Sequence, residues 1–488
     1  MSTKTSLRNM LPDLLSYIEV TRRNQVLFND DLMQIYNGSL LRYVEESMQQ
    51  ELSPRAFNRS KGRIAPINIL TKIVEKLSQV YTEAPCRDAG DNEIDAQLVE
   101  YYEDELELNT VMALGNELLN LHKHFAIELY LNDEGEPQIR LLPANTYIVY
   151  SDNEIDPTDV TVFIKLMGKV KKLAAPETDQ YGRVMKSSMQ RFIELDKYYI
   201  YSDNEFMIID SSGEIYSEQE NPYGVMPFVY CNSSQFELIP TPDASMKSMS
   251  VLIPKLISDL NYSSLFSRGI IYGINCEITN MEANPDSFLS INSPEGSTQT
   301  PSVGTIKPET DSDKNLNLIH SQLSMFLDSK GIRPGSIGTL DTANVSSGIA
   351  KMIDNADASS TIKKHKNMFI DFESDLWDLI ITMHGYWVRT QQLSEVKVDF
   401  SLGFEPDIEF KEHKVMESSL DKLNELKIMN DLGIFTPRQA LIKLNPDASV
   451  ELIDSMLQEI SDYKAGIETT YQAQIASIVT EMPDKPKV

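Results

Sequence analysis

A chain of 488 residues that is 41% hydrophobic and 24% charged has room for two to four structural units of about 150 residues each, and its composition excludes a small cross-linked scaffold, a disordered chain and a membrane-embedded one. Its 44 Lys and Arg stand against 73 Asp and Glu, a formal net charge of −29, so the surface as a whole repels polyphosphate and tight nucleic-acid binding would need cations concentrated locally. The simplest inference is that the chain does not bind DNA tightly, which leaves room for a passive conduit with a negative wall past which a duplex slides without sticking. Cys86, Cys231 and Cys276 lie far apart with no C-x-x-C pair, which argues against a zinc ribbon, a redox pair or a disulfide framework and fits a reducing compartment. Met1 to Ser16 lacks an apolar core followed by a small-residue cleavage site, and no apolar run reaches about 18 residues, so the expected location is the cytoplasm or an assembly built there.

Residues 8–50 read as helical, with Leu32, Ile35, Tyr36 and Leu40 at helical spacing and Asn37-Gly38 as a turn. A basic island follows, Arg55, Arg59, Lys61 and Arg63, and after Pro66 an apolar stripe of Ile67, Leu70, Ile73, Val74 and Leu77 predicts a helix ending near Pro85. The island suits either a solvated helix entrance paired with the chain's own acids or contact with a partner's carboxylates or DNA phosphate. From Asp88 to Glu107 there are nine acids and no bases: Asp88, Asp91, Glu93, Asp95, Glu100, Glu103, Asp104, Glu105 and Glu107. Their spacing matches no calcium loop, and a solvated helix face is expected.

A helix bearing Met112, Leu114, Leu118, Leu119 and Leu121 gives way to alternating strands. Phe125 to Leu131, the turn Asp133-Glu134-Gly135 and Ile139 to Leu142 form a hairpin signal, with further strands at 146–150, 160–166, 191–201, 205–210 and 228–230. His122 and His124 make an H-x-H pair without further ligands at zinc spacing, so no metal is expected there. After Pro242, Met249, Leu252, Ile253, Leu256, Ile257 and Leu260 recur at intervals of one, three or four residues and predict a helix from Asp243 to about Ile274, with Pro254 as an irregularity. Residues 276–312 are polar and turn-rich, an inserted small element. Lys314 to Lys330 is helical, Arg333 to Ser347 is a Gly, Ser and Thr loop, and a very long helix runs from Gly348 to about Gln391. Ile408 to Phe410 suggests a last strand. Helices are expected from Met416 to Leu432 and from Thr436-Pro437, with Thr as cap and Pro in the first turn, to about Thr480.

No phosphate-loop, nucleophile-elbow or H-E-x-x-H signature occurs, and the six histidines fall in no nucleophile or metal pattern. The segment Pro334-Gly335-Ser336-Ile337-Gly338-Thr339 lacks the Lys of a phosphate loop and lies between helices, so it reads as a loop. The fold class is α+β, and the expectation is a protein that is not an enzyme and carries no cofactor and no metal. In the middle of the chain, two helices closed by a small insertion form a stalk with a tip. A stalk has little core of its own, so neighbouring copies should cover its apolar stripes, in a cyclic assembly.

The order Ile35-Tyr36-Asn37-Gly38, then Asn68 to Pro85, Asn221-Pro222-Tyr223-Gly224-Val225-Met226-Pro227-Phe228, Ser346-Ser347-Gly348-Ile349-Ala350 and Leu432-Gly433-Ile434 resembles the portal (connector) proteins of tailed bacteriophages across nearly the whole chain. The resemblance implies a portal-type fold assembled as a homo-oligomeric ring, usually of twelve copies, at one capsid vertex. Residues 1–242 and 394–418 would form an α/β wing, 243–275 and 313–332 the two stem helices and 276–312 a small α/β clip. A tunnel loop at 333–347, a long wing or channel helix at 348–393 and a helical crown at 419–488 would complete it. The ring would be the channel for DNA packaging and ejection, placed in the virion after assembly in the host cytoplasm.

By the same resemblance, Ser336, Thr339, Thr342, Asn344 and Ser346 would approach the DNA from the tunnel loop, with Lys330, Arg333 and Lys351 flanking it, either on phosphate or on a neighbouring subunit's carboxylates. Glu277, Glu282, Asp286, Phe288 and Glu295 would present the clip to the terminase large subunit and then to a head-completion or adaptor protein. The other implied partners are the major capsid protein, the scaffolding protein and the double-stranded DNA passing through, with no membrane. Two alternatives from other classes are another ring-forming head-tail or virion structural protein and a carboxylate and metal-dependent nucleic-acid enzyme.

Overall fold

Apolar residues at every third or fourth position turn the first fifty residues into helices α1 (Leu7–Thr21), α2 (Leu27–Gln34) and α3 (Leu40–Glu51), joined through π-helical turns at Arg22–Val26 and Ile35–Ser39. The expected Asn37-Gly38 break is there: Gly38 takes φ +99° and kinks the chain between α2 and α3. This computed structural model describes residues 6–173, 192–263, 270–274, 277–279, 290–292, 302–306, 312–332, 348–394, 396–410, 438–439, 453 and 455–458. The chain divides into two compact units, one of Met1–Asn344 with Asp354–Lys411 and one of Val345–Ile353 with Glu412–Val488.

The first unit is mixed helix and sheet, α+β as the patterning implies. Helix α4 (Pro54–Ser60) occupies the basic island, started by Ser53, whose hydroxyl accepts from the Ala56 amide at 3.4 Å, and by Pro54 in the first turn. Helix α5 (Ile69–Leu77) is capped by Asn68, which also donates to the Ile35 carbonyl at 2.9 Å and so ties α5 to the kink. Strand β1 (Cys86–Asp88) leads to α6 (Glu93–Glu105) and α7 (Leu108–His122). Strands β2 (His124–Leu131) and β3 (Pro137–Pro143) form the expected hairpin, and β9 (Phe228–Asn232) pairs on the other side of β2. Between them β4 (Tyr147–Tyr150), β5 (Val162–Leu173), β6 (Phe192–Tyr201), β7 (Glu205–Asp210) and β8 (Ile215–Glu220) run as a five-stranded antiparallel meander.

Helix α1 lays Leu7, Met10, Leu14 and Ile18 on the meander against Ile148, Ile164, Ile200 and Met207. Phe163 and Phe228 stack at 4.0 Å where the two sheets meet, beside Tyr147 and Leu142. The segment Asn221-Pro222-Tyr223-Gly224 is a staple into β9. The Asn221 amide donates to the Ser202 and Val225 carbonyls at 3.0 and 2.8 Å, and Tyr223 stands edge-on to Trp387.

Helix α8 (Ala244–Ser263) passes through Pro254 without ending, but it stops well short of the expected boundary near 275. Residues Ile270–Ile274 are strand β10, paired antiparallel with β13 (Ser302–Ile306), and inside them β11 (Glu277–Thr279) pairs with β12 (Ser290–Asn292). The helical apolar period gives out after Leu260, and the β-branched and aromatic run Ile270-Ile271-Tyr272 prefers the ladder. The described residues between α8 and α9 are strands, and β10 falls inside the span expected as the first stem helix. Helix α9 (Ser312–Ser329) returns, and α10 (Gly348–Arg389) is the expected long helix, its first residues up to Ile353 belonging to the second unit. Strand β14 (Asp407–Glu409) pairs with β1. In the second unit the described residues are helical and Ile453 is buried.

Two apolar cores anchor the long helices of the first unit. One gathers α6, α7, β2 and the Phe369 to Trp387 stretch of α10, closed by Phe400 and Ile408. The other joins α2, α3 and α5 to the stalk through Leu32, Val44, Leu70, Ile73, Met246, Ile253, Ile319 and Phe326. The β2–β3 turn is clamped to the chain beyond α10. Gly135 sits at φ +81°, its carbonyl accepts from the Ser394 amide at 3.1 Å, and a Cβ there would stand 2.5 Å from the Gln392 carbonyl oxygen. Gly135→Ala should therefore cost about 2 kcal/mol or more in a denaturant melt. An unchanged midpoint would mean that the turn swings clear of Gln392.

Candidate functional site

The stalk is rooted by charge as well as by apolar contact. Pro242 ends the preceding segment, and the Asp243 carboxylate accepts from the Ser245 amide and hydroxyl at 3.0 and 2.6 Å, starting α8. At the other end, Gly331 (φ +69°) lets the chain turn out of α9, and the Ile332 amide donates back to the Leu327 carbonyl at 2.9 Å. That turn carries the Lys330 ammonium onto Asp243, an ion pair that closes the hairpin at its base. Partial burial opposes the charge on Asp243, but Lys330 and Ser245 outweigh it and hold the carboxyl below its usual range. Lys330 is thus engaged within its own chain.

Further along α8, Lys247 pairs with Asp31 at 2.6 Å, Lys255 pairs with Glu51, and the Ser258 hydroxyl accepts from the Ala65 amide at 3.0 Å. Burial works against the Asp31 charge, yet Lys247 and the Tyr43 hydroxyl keep its carboxyl below the usual range. These ties fix one face of the stalk to the N-terminal helices. On the other side of α9, Leu318 and Met325, two turns apart, are exposed, Met325 by 72%, away from the buried stripe of Ile319, Leu323 and Leu327.

Of the remaining expected channel residues, Arg333, Ser336, Thr339, Thr342, Asn344 and Ser346 lie outside the described residues, and Lys351 is placed only as backbone within α10. Of the expected tip residues, Glu277 lies in β11, while Glu282, Asp286, Phe288 and Glu295 lie outside the described residues.

An open groove of about 1430 Å³ runs from the stalk base along α10. Asp243, Lys330, Lys123 and the segment after β9, with Phe236 exposed by 91%, line one side. On the other, Asp371, Asp375 and Asp378 lie at i, i+4 and i+7, a spacing that was legible in the sequence but not singled out. Burial, then the neighbouring carboxylates, push Asp375 and Asp378 above the usual range. This chemistry suits a docking groove for polar and cationic side chains.

The H-x-H pair is internal. His124 shares a hydrogen bond of 2.7 Å with the Tyr147 hydroxyl, His122 has no partner at either ring nitrogen, and burial pushes both down to about 3. The acidic segment divides between two roles. Asp95 is buried and accepts from the Ser401 amide at 2.9 Å, and Glu103 binds Arg87 at 2.6 Å, so these two leave the solvated face expected for all nine. Among the described residues, no three histidine, cysteine or carboxylate side chains converge as a metal cluster would, and no helix is long and apolar enough to cross a membrane. No family model matches the chain, and no curated protein matches it significantly.

Proposed function

We propose that this chain is the ring subunit of a tailed-phage portal, a non-enzymatic channel through which double-stranded DNA enters and leaves the capsid. The observation that carries the reading is the stalk. Two antiparallel helices, α8 and α9, are tipped by two nested strand ladders, and α9 bears an outward pair, Leu318 and Met325, exposed among the described residues. A helical hairpin with apolar residues on both sides needs a second layer, and copies arranged about an axis supply it for every subunit alike. In this reading the ladders at 270–306 are the clip that meets terminase and then the adaptor, and residues 333–347 form the tunnel loop. Helix α10 supports that loop, and the second unit is the crown. No residue is assigned a catalytic role, and the acidic excess suits a wall that does not hold DNA.

Electron microscopy and native mass of the 55.3 kDa chain test it. Closed rings of about twelve copies, with an axial hole as wide as a duplex, are the expected result. A monomer or dimer that persists at high concentration with scaffolding protein present would overturn the reading. Leu318→Lys/Met325→Lys should stop ring formation while leaving the far-ultraviolet circular dichroism of the subunit unchanged.

A further inference from the structure

Arg55, Arg59 and Arg63 follow one another at i, i+4 and i+8, all exposed, and none makes an ion pair or side-chain hydrogen bond among the described residues. Three carboxylates of the neighbouring α3 are already taken. Glu45 holds Lys61 at 3.5 Å, Glu46 holds Arg42 at 2.8 Å and Glu51 holds Lys255. Three uncompensated cations therefore stand close along the chain, Arg55 and Arg59 one turn apart on α4 and Arg63 in the 3-10 turn that follows, on a chain whose net charge is −29.

The complementary surface is on the same molecule. Helix α6 turns Asp95 and Glu103 inward, to Ser401 and Arg87, and leaves Glu93, Glu100 and Asp104 exposed at i, i+7 and i+11, without partners among the described residues. That stripe is about 16 Å long. The two rows lie on different flanks of the helical layer: α4 packs on α3 and α8, α5 on α8 and α7, and α6 on α7. Unlike flanks that complement each other make a head-to-tail contact, and such a contact closes into a ring when its rotation allows.

We infer that the arginines of α4 and of the turn that follows it dock on the acidic stripe of α6 in the next copy of this chain. The inference rests on the ring reading and names a contact surface for it. Exposed pairs are individually weak and screened by salt, so the belt sets register and direction while apolar stalk contacts supply adhesion. DNA is the poorer occupant, because three cations release few counterions and the field of the whole subunit repels a polyanion.

Two full-length variants test this, Arg55→Glu/Arg59→Glu/Arg63→Glu and Glu93→Lys/Glu100→Lys/Asp104→Lys, with native mass at low salt as the readout. Each alone should assemble at least tenfold more weakly than the unmodified chain. Mixed in equal amounts, the two should recover rings of alternating copies, even in number. Rings from either variant at the unmodified yield, or a mixture no better than its parts, would overturn the contact and leave the ring reading standing. Failure of the unmodified chain to close rings would remove both. An arginine variant that keeps its rings but loses affinity for a short DNA duplex would reassign the row to DNA. Should a variant misfold, Arg59→Lys rings treated with a carbodiimide decide the matter: a cross-link from position 59 to an α6 carboxylate of another copy is expected, and links confined to one copy would refute it.

Discussion

Arg87→Ala is expected to remove about 3–5 kcal/mol from the core that joins α6, α7 and α10. The Arg87 side chain has no exposed surface, and Glu373 on α10 is 2% exposed. The guanidinium grips Glu373 with two bonds, Nε to Oε2 at 2.7 Å and Nη2 to Oε1 at 2.9 Å, and spends Nη1 on Glu103 at 2.6 Å and Asn109 at 3.0 Å. Tyr81 donates to the same Glu373 carboxylate at 2.5 Å. Removing Arg87 strands a buried carboxylate, and that stranding sets the size of the loss. An apolar replacement of both partners, Arg87→Met/Glu373→Leu, should recover most of it. Trp377 and Trp387, the chain's two tryptophans, both lie in this core, so their fluorescence reports its unfolding directly. A loss below about 1 kcal/mol, or a double variant no better than the single one, would show that water or a neighbouring group compensates Arg87 more easily than the buried geometry implies.

Arg87 also shows where reading the sequence stops. Periodicity made most helices and the β2–β3 hairpin legible, because each is decided by residues within a few positions of one another. Arg87 stands at the edge of a nine-acid run, and nothing local says that its partner is 286 residues away. Strand β1 was missed for the same reason: Cys86–Asp88 pairs only with Asp407–Glu409, and three residues carry no period. Strand β8 was missed because IYSEQE at the sheet edge is mostly exposed and polar. The end of α8 was misjudged because Ile270, Ile271 and Ile274 continue a hydrophobic count that the ladder with Ser302–Ile306 reinterprets. At the candidate site, the two-helix stalk was legible from its stripes. The Asp243 and Lys330 closure was not, since it depends on two helix ends meeting.

Acid should destabilise the first unit well before its carboxylates titrate. His122 and His124 are buried and pushed down to about 3 by loss of hydration, with His122 adding repulsion on His124. An unfolded chain binds protons at these rings from about pH 6.5 downward, whereas the folded chain refuses them until about 3. Their contribution is therefore intact above pH 6.5 and is lost progressively as pH falls toward 3, at about 1.4 kcal/mol per pH unit for each ring. Together they give about 4 kcal/mol lost by pH 5. His365 and His384, lowered chiefly by burial, act with the same sign. The depressed carboxyls of Asp31, Asp210 and Asp243 keep their stabilisation until pH falls below the ordinary carboxylate range, and the raised Asp375 and Asp378 act in the opposite sense, relieved of strain as they protonate. From pH 6.5 to 4.5 the histidines thus set the downward slope, against which the raised Asp375 and Asp378 work. Unfolding free energies measured across it by tryptophan fluorescence should slope steeply in the unmodified chain and much less in His122→Phe/His124→Gln, where glutamine can still meet the Tyr147 hydroxyl. Equal slopes in both proteins would assign the acid response to other groups and show that the two rings accept protons without opening the fold.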